Sequence, residues 1–236
     1  MDKPKKKMKW WKKALLVVAI LLMLVLLGLF ALAGIVGYAG PLKGIGTAKI
    51  GWAYKNRPTG EIVFYGASNF TLWLNLEKDM SPLAVQNHGF GGSADSDLME
   101  KADELLYPYQ PSTVVFQSGS NDFVSGLTVD ETCANKDKMY AEFRSRLPDA
   151  TFVVMSMLPL PGRTEYWTES QAVNAHLKAL CVAEGNMVFL DATEALTAAD
   201  GTFRPELFRS DGIHLNRDGQ LIWGAIIKAA LLEIAK

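Results

Sequence analysis

The chain has 236 residues, 49% of them apolar and 21% charged, with a net charge of −1, a length that allows one domain with a full core behind any terminal segment. The charge is unevenly spread: residues 1–13 hold seven lysines against one aspartate, and the remainder holds 17 Lys and Arg against 24 Asp and Glu. An acidic globular part argues against nucleic acid as a partner, because duplex binding draws on clustered positive charge.

The first predicted element is a membrane-spanning helix. Ala14 to Ala39 carries no charge, and Tyr38 is its only markedly polar side chain. Coiled as a helix, 26 residues extend about 39 Å, against a bilayer core about 30 Å thick. A helix suits a span because its interior backbone groups are bonded within the segment. The lysines precede the run, and Trp10 and Trp11 sit at the junction, where amphipathic rings favour the interface. Lysines stay on the cytoplasmic side, so the domain that follows is expected outside. Two other readings exist. Ala31-Leu32-Ala33 before Gly34 resembles a signal-peptide cleavage site, which would release the domain after cleavage near Ala33; but the run exceeds the usual h-region. A nuclear-type basic tract does not run straight into an apolar span. The expected organisation is a cytoplasmic basic tail over 1–13, a signal-anchor over 14–39, a connector over 40–60 rich in glycine, and a globular domain over 61–236.

From Glu61 onward, short apolar runs alternate with helical patterns. The runs are Ile62–Tyr65, a weaker Ala84–Gln86, Val114–Phe116, Phe152–Met157 and Met187–Leu190. Continuous apolarity suits strands buried on both faces, as in parallel sheets. Leu98, Ala102, Leu105 and Leu106 fall on one helical stripe, as do Ala172, Val173, Leu177, Leu180 and Cys181. Leu221 to Ala230 forms a closing helix with Asn216 as its N-cap. The expected fold is a three-layer α/β/α sandwich around a parallel sheet of about five strands. Cys133 and Cys181 are the only cysteines, without a Cys-x-x-Cys pair or a His/Cys cluster, so structural zinc is not expected. They allow one disulfide or two buried thiols; the stripe holding Cys181 favours burial for it.

In such sheets the chemistry lies beyond the carboxyl ends of the strands. The first strand ends in Gly66-Ala67-Ser68-Asn69, the second in Asn87-His88-Gly89-Phe90-Gly91-Gly92-Ser93, the third in Gly119-Ser120-Asn121-Asp122, and Asp211-Gly212-Ile213-His214 comes near the C-terminus. Each has an ordinary explanation: a helix-capping serine, a flexible turn, an asparagine bonded to its own backbone, a capped loop. His176, in mid-helix, reads as structural. Together the four segments supply a hydroxyl nucleophile, a backbone donor, an amide donor and an Asp/His pair, the inventory of an acyl-transfer site.

These four blocks, in this order, resemble the Ser, Gly, Asn and His signatures of the SGNH/GDSL hydrolase superfamily, whose fold is flavodoxin-like. Asn87–Ser93 and Leu158-Pro159-Leu160-Pro161 look most like bacterial relatives of platelet-activating-factor acetylhydrolase-type subunits. Ala67 stands where the namesake motif has Asp, a position outside the triad. His88 stands where these relatives often carry Arg, an exchange expected to alter the pocket rim. The resemblance implies a serine esterase: Ser68 as nucleophile, His214 as base, Asp211 orienting the imidazole, and an oxyanion hole from Ser68 N–H, Gly92 N–H and the Asn121 amide. Asn69 and Asp122 are expected to support rather than react, and Tyr65, Trp73 and Phe123 to pack in the core rather than line the pocket. No metal or organic cofactor is required. The expected substrate is a small acyl ester, glycan or lipid, and the leading reading is an esterase or deacetylase acting on small acyl groups of envelope glycans, lipids or external esters. Alternatives are an O-acyltransferase using the same acyl-enzyme, and a binding module that has lost turnover.

Overall fold

The computed structural model describes residues 9–36 and 50–235. Residues 1–8 of the expected tail, 37–39 of the expected span and 40–49 of the expected connector lie outside the described residues. Helix α1 (Trp10–Val36) is long and apolar enough to cross a membrane, with mean hydropathy 2.5 over Trp10–Leu29. Its side chains from Trp10 to Leu29 are exposed all round. A helix apolar on every side needs an apolar surrounding, in a protein core or a membrane.

The domain is built on five parallel strands: β1 (Ile62–Gly66), β2 (Val85–Gly89), β3 (Thr113–Gln117), β4 (Thr151–Met155) and β5 (Met187–Leu190). Their order is β2-β1-β3-β4-β5, and every neighbouring pair is parallel. The expected five-strand sheet with helices around it is what forms, with two boundary differences. The fourth run leaves the sheet at Met155. The second strand runs on through Asn87 and His88, which composition had assigned to the turn.

Alternate strand residues point to opposite faces, which divides the core in two. Val63, Tyr65, Val114, Phe116, Phe152 and Val154 pack on one face. Over them lie α4 (Asp95–Leu105), α6 (Val129–Arg146) and α7 (Trp167–Ala183). Phe64, Val115, Val153 and Met155 pack on the other, beneath α2 (Ser68–Thr71), α3 (Leu76–Met80) and the closing helix α8 (Arg217–Ile234). Phe70 and Trp73 both stack on Trp223 of α8, which ties the start of the domain to its end. Residues 50–54 form a helical turn that buries Ile50 and sets Tyr54 against the His88 ring. Cys133 and Cys181 are free thiols, Cys181 buried in the core.

A strand order of 2-1-3-4-5 reverses direction between β1 and β3, and the crevice beyond their carboxyl ends is where this architecture places ligands.

Candidate active site

At the end of β1 the backbone passes so close to β3 that a Cβ on Gly66 would lie 2.1 Å from the Gln117 carbonyl oxygen. Only glycine fits this approach. The turn is fixed by two further bonds: Ala67 N–H donates to Gln117 O (3.1 Å) and Phe90 N–H donates to Gly66 O (2.7 Å). Ser68 then opens the four-residue α2, half-buried at the crevice.

The loop after the 3-10 turn Pro205–Leu207 brings up His214 and the carboxylate of Asp211. Asp211 Oδ1 accepts from the backbone N–H groups of Ile213 (2.8 Å) and His214 (2.9 Å), and its Oδ2 lies 2.8 Å from His214 Nδ1. His214 Nε2 lies 2.8 Å from Ser68 Oγ. With the Asp211 carboxylate accepting at Nδ1, that nitrogen carries a proton and Nε2 is left as the basic one in the neutral ring. Burial is the largest single influence on Asp211 and works against its ionisation. The His214 ring and the two backbone N–H groups together outweigh it and hold the carboxyl down to about 2, so Asp211 stays ionised at any pH where the domain is expected to function.

Asn69 fastens the two halves. Leu215 N–H donates to its Oδ1 (3.0 Å) and its Nδ2 donates to Ile213 O (3.4 Å), so the residue beside the serine grips the backbone on both sides of His214. Asn216 then caps α8, accepting from the N–H groups of Asp218 and Gly219.

Gly92 lies in the loop after β2 and Asn121 in the short helix α5 (Ser120–Val124) after β3, these strands being the two neighbours of β1. Gly92 has φ +74°, a conformation that favours glycine, and it is exposed. Asn121 Nδ2 donates to Ser93 O (2.9 Å), joining α5 to the loop after β2. Beneath them is a buried ionic knot. Asp95 opens α4 and is 0% exposed, and Lys136 projects from α6 at 1%. Lys136 Nζ donates to Asp95 Oδ1 (2.9 Å) and to Ser118 Oγ (2.7 Å), and Ser118 Oγ donates to the same Asp95 oxygen. Asp95 N–H donates in turn to both carboxylate oxygens of Asp122 (3.1 and 3.3 Å). A second carboxylate thus lies beside the Asp95–Lys136 pair without touching the ammonium. Burial, and then the Asp95 charge, push Asp122 up to about 6 against the pull of Lys136.

The five residues singled out from the sequence therefore lie at one end of the sheet: Ser68, Asp211 and His214 in a hydrogen-bonded line, Gly92 in the loop after β2 and Asn121 in α5. His88 does not reach the pocket rim. It is fully buried, with Nδ1 2.6 Å from Leu105 O and Nε2 3.1 Å from Gln86 Oε1, and burial lowers its pKa to about 4. The strand extension explains the correction, since a residue still inside β2 faces the core. Tyr65, Trp73 and Phe123 are core residues. His176 pairs with Asp137 on the neighbouring helix (2.7 Å). Sequence reasoning missed Lys136, Ser118 and Asp95 as a unit, and Arg163, which donates to the Asn121 side chain. An Asp-His-Ser line of this kind can deprotonate the hydroxyl for attack on an electrophilic carbonyl.

The pattern of the GDSL-like lipase/acylhydrolase family matches residues 64–222, which contain every residue of this arrangement. No curated protein matches the chain. Among solved structures, a protein of Streptococcus pneumoniae described as a platelet activating factor superposes with a TM-score of 0.70 at 21% identity, over 89% of this chain and 98% of that one. A GDSL-like lipase of Bacteroides thetaiotaomicron gives 0.64 at 21% identity, over 73% and 88%. A carbohydrate esterase family 3 protein of Talaromyces cellulolyticus gives 0.60 at 16% identity, over 75% and 98%. At these identities the likeness is one of fold.

Proposed function

Since the chain belongs to the GDSL-like lipase/acylhydrolase family and is an ester hydrolase, we propose that it is a membrane-anchored serine esterase acting outside the cytoplasmic membrane. Its catalytic triad is Ser68, His214 and Asp211. The single observation that carries this reading is the position of His214, 2.8 Å from Ser68 on one side and 2.8 Å from Asp211 on the other.

Ser68 Oγ attacks the ester carbonyl as His214 Nε2 takes its proton. Negative charge collects on the carbonyl oxygen and is received by the Ser68 N–H, the Gly92 N–H and the Asn121 amide. The tetrahedral species collapses, His214 protonates the departing alkoxide, and an acyl-serine remains. Water then gives a proton to His214 and attacks the acyl carbon. Collapse releases the acid and returns the proton to Ser68. Asp211 holds the ring tautomer and stabilises the imidazolium throughout.

The substrates are small acyl esters of envelope glycans or lipids, acetyl esters foremost. Two observations support this: an apolar helix ahead of the domain, which would hold it at a membrane surface, and a fold shared with a carbohydrate esterase. The full-length chain in detergent is expected to hydrolyse 4-nitrophenyl acetate and acetylated sugars faster than long-chain esters, with free acid as product. No turnover of any ester would overturn the reading; transfer of the acyl group to an added sugar without acid release would replace it by an acyltransferase. In sealed right-side-out vesicles, added protease is expected to digest the domain and leave the lysine tail protected. A protected domain would overturn the orientation.

A further inference from the structure

An asparagine that serves an oxyanion must present nitrogen, not oxygen, to the reacting atom, although the two ends of its amide have almost the same shape. What decides the orientation is the chemistry of the neighbours. Asn121 Nδ2 faces the Ser93 carbonyl (2.9 Å), which can only accept. Asn121 Oδ1 faces Arg163 Nη1 (3.0 Å), and a guanidinium can only donate. Turning the amide over would set oxygen against oxygen and N–H against N–H. One Nδ2 hydrogen is satisfied by Ser93, and the other is left for a ligand.

We propose that Arg163 is a positioning residue of the oxyanion hole, holding the Asn121 amide with its nitrogen toward the reacting oxygen and strengthening it as a donor. The inference rests on the reading of Asn121 as an oxyanion donor given above. A cation bonded to the amide oxygen draws electron density from the nitrogen, so the remaining N–H becomes more acidic and binds an oxyanion better. The effect is larger in a partly desolvated site than in water.

Arg163 is built to stay in place. It lies in the 3-10 segment Pro161–Tyr166 after β4 and interrupts it, with φ −146° and ψ 42°. Its own N–H donates to Leu160 O (2.9 Å), and the preceding Gly162 N–H donates to Gly212 O (2.9 Å), between Asp211 and His214 in sequence. The guanidinium Nη1 also donates to Ser120 Oγ (2.8 Å), so it bridges the first two side chains of α5. The segment thereby spans from the triad loop to α5. The side chain is half-buried, and a guanidinium remains charged there.

The test is a double-mutant cycle on 4-nitrophenyl acetate hydrolysis with the full-length chain in detergent: wild type, Arg163→Met, Asn121→Ala and the double variant. Asn121→Ala is expected to lower kcat by about 10²–10³. Arg163→Met is expected to lower kcat by about tenfold or more with KM changed less than about twofold, and to cost less than about twofold when Asn121 is already alanine. Arg163→Lys, which keeps a donor and a charge, is expected to recover part of the loss, and it carries the same cycle if the methionine variant unfolds. An Arg163→Met loss of the same factor in both backgrounds, a change in KM alone, or an unchanged kcat would overturn the proposal while Asn121→Ala remained impaired. A wild-type rate for Asn121→Ala would instead overturn the reading of Asn121 itself, and the proposal with it.

Discussion

Ser68→Ala is expected to yield a folded chain that no fluorophosphonate labels and whose kcat is lower by about 10⁶. In the proposed mechanism the hydroxyl oxygen forms the acyl bond, so its loss removes the covalent route rather than weakening it. What survives is the small rate the oxyanion donors and substrate binding can still give to water. Folding should be spared. Phe70 two residues on is buried between Phe64 and Trp223, Asn69 still grips the backbone around His214, and the substitution removes one oxygen from a half-exposed position. Intact-mass spectrometry after labelling, alongside thermal melting, makes the measurement. An adduct retained on the alanine variant would show that another side chain is the nucleophile.

Lys136→Met is expected to cost about 3–5 kcal/mol of stability, the usual consequence of removing one partner of a buried ion pair. In a domain of this size that is a fall in melting temperature of about 10 °C. Methionine keeps most of the side chain's apolar length and loses the ammonium, which also sits 5.5 Å from the centre of the Phe116 ring, so the loss is chiefly electrostatic. Asp95 and Asp122 are left buried without a cation, and one oxygen of Asp95 has no hydrogen-bond partner even with Lys136 present. The effect should depend on pH. Asp122 already takes up a proton more readily in the folded state than in the unfolded chain, so its charge costs stability progressively as pH rises from about 4 to 6. Without Lys136 that window extends above about pH 6, so the part of the penalty carried by Asp122 is small below about pH 6 and grows as pH rises beyond it. Urea unfolding at several pH values reads this out, and adding Asp95→Asn should recover part of the loss. A Lys136→Met variant as stable as wild type at neutral pH would mean that the cluster is not an electrostatic unit.

The sheet and the Asp211–His214 pair are legible in the sequence because each depends on local chemistry. Val114, Val115 and Phe116 are apolar on both sides because the strand is covered on both faces, and the Asp211 and His214 side chains meet over three residues. Helix α6 was invisible for the opposite reason. Its buried face includes Thr132 and Lys136 as well as Met139, Tyr140 and Phe143, so the apolar stripe is broken where Lys136 meets Asp95. The second strand was cut short in the same way. Gln86 and His88 are buried polar residues, satisfied by Glu61, Pro58 O and Leu105 O, partners that no window of sequence around them contains. Arg163 belongs to the same class, since its two partners lie more than forty residues away.

Asn69 binds backbone 144 and 146 residues further along the chain, and this sets an order on biosynthesis. A growing polypeptide displays Ser68 early but acquires the ring that would activate it only when almost all of the domain has been made. In the proposed topology, the hydroxyl would emerge from the membrane chemically inert. Activity would switch on only as the last helix emerges and closes against the first turn, so an interrupted or clipped product would be silent rather than unselective.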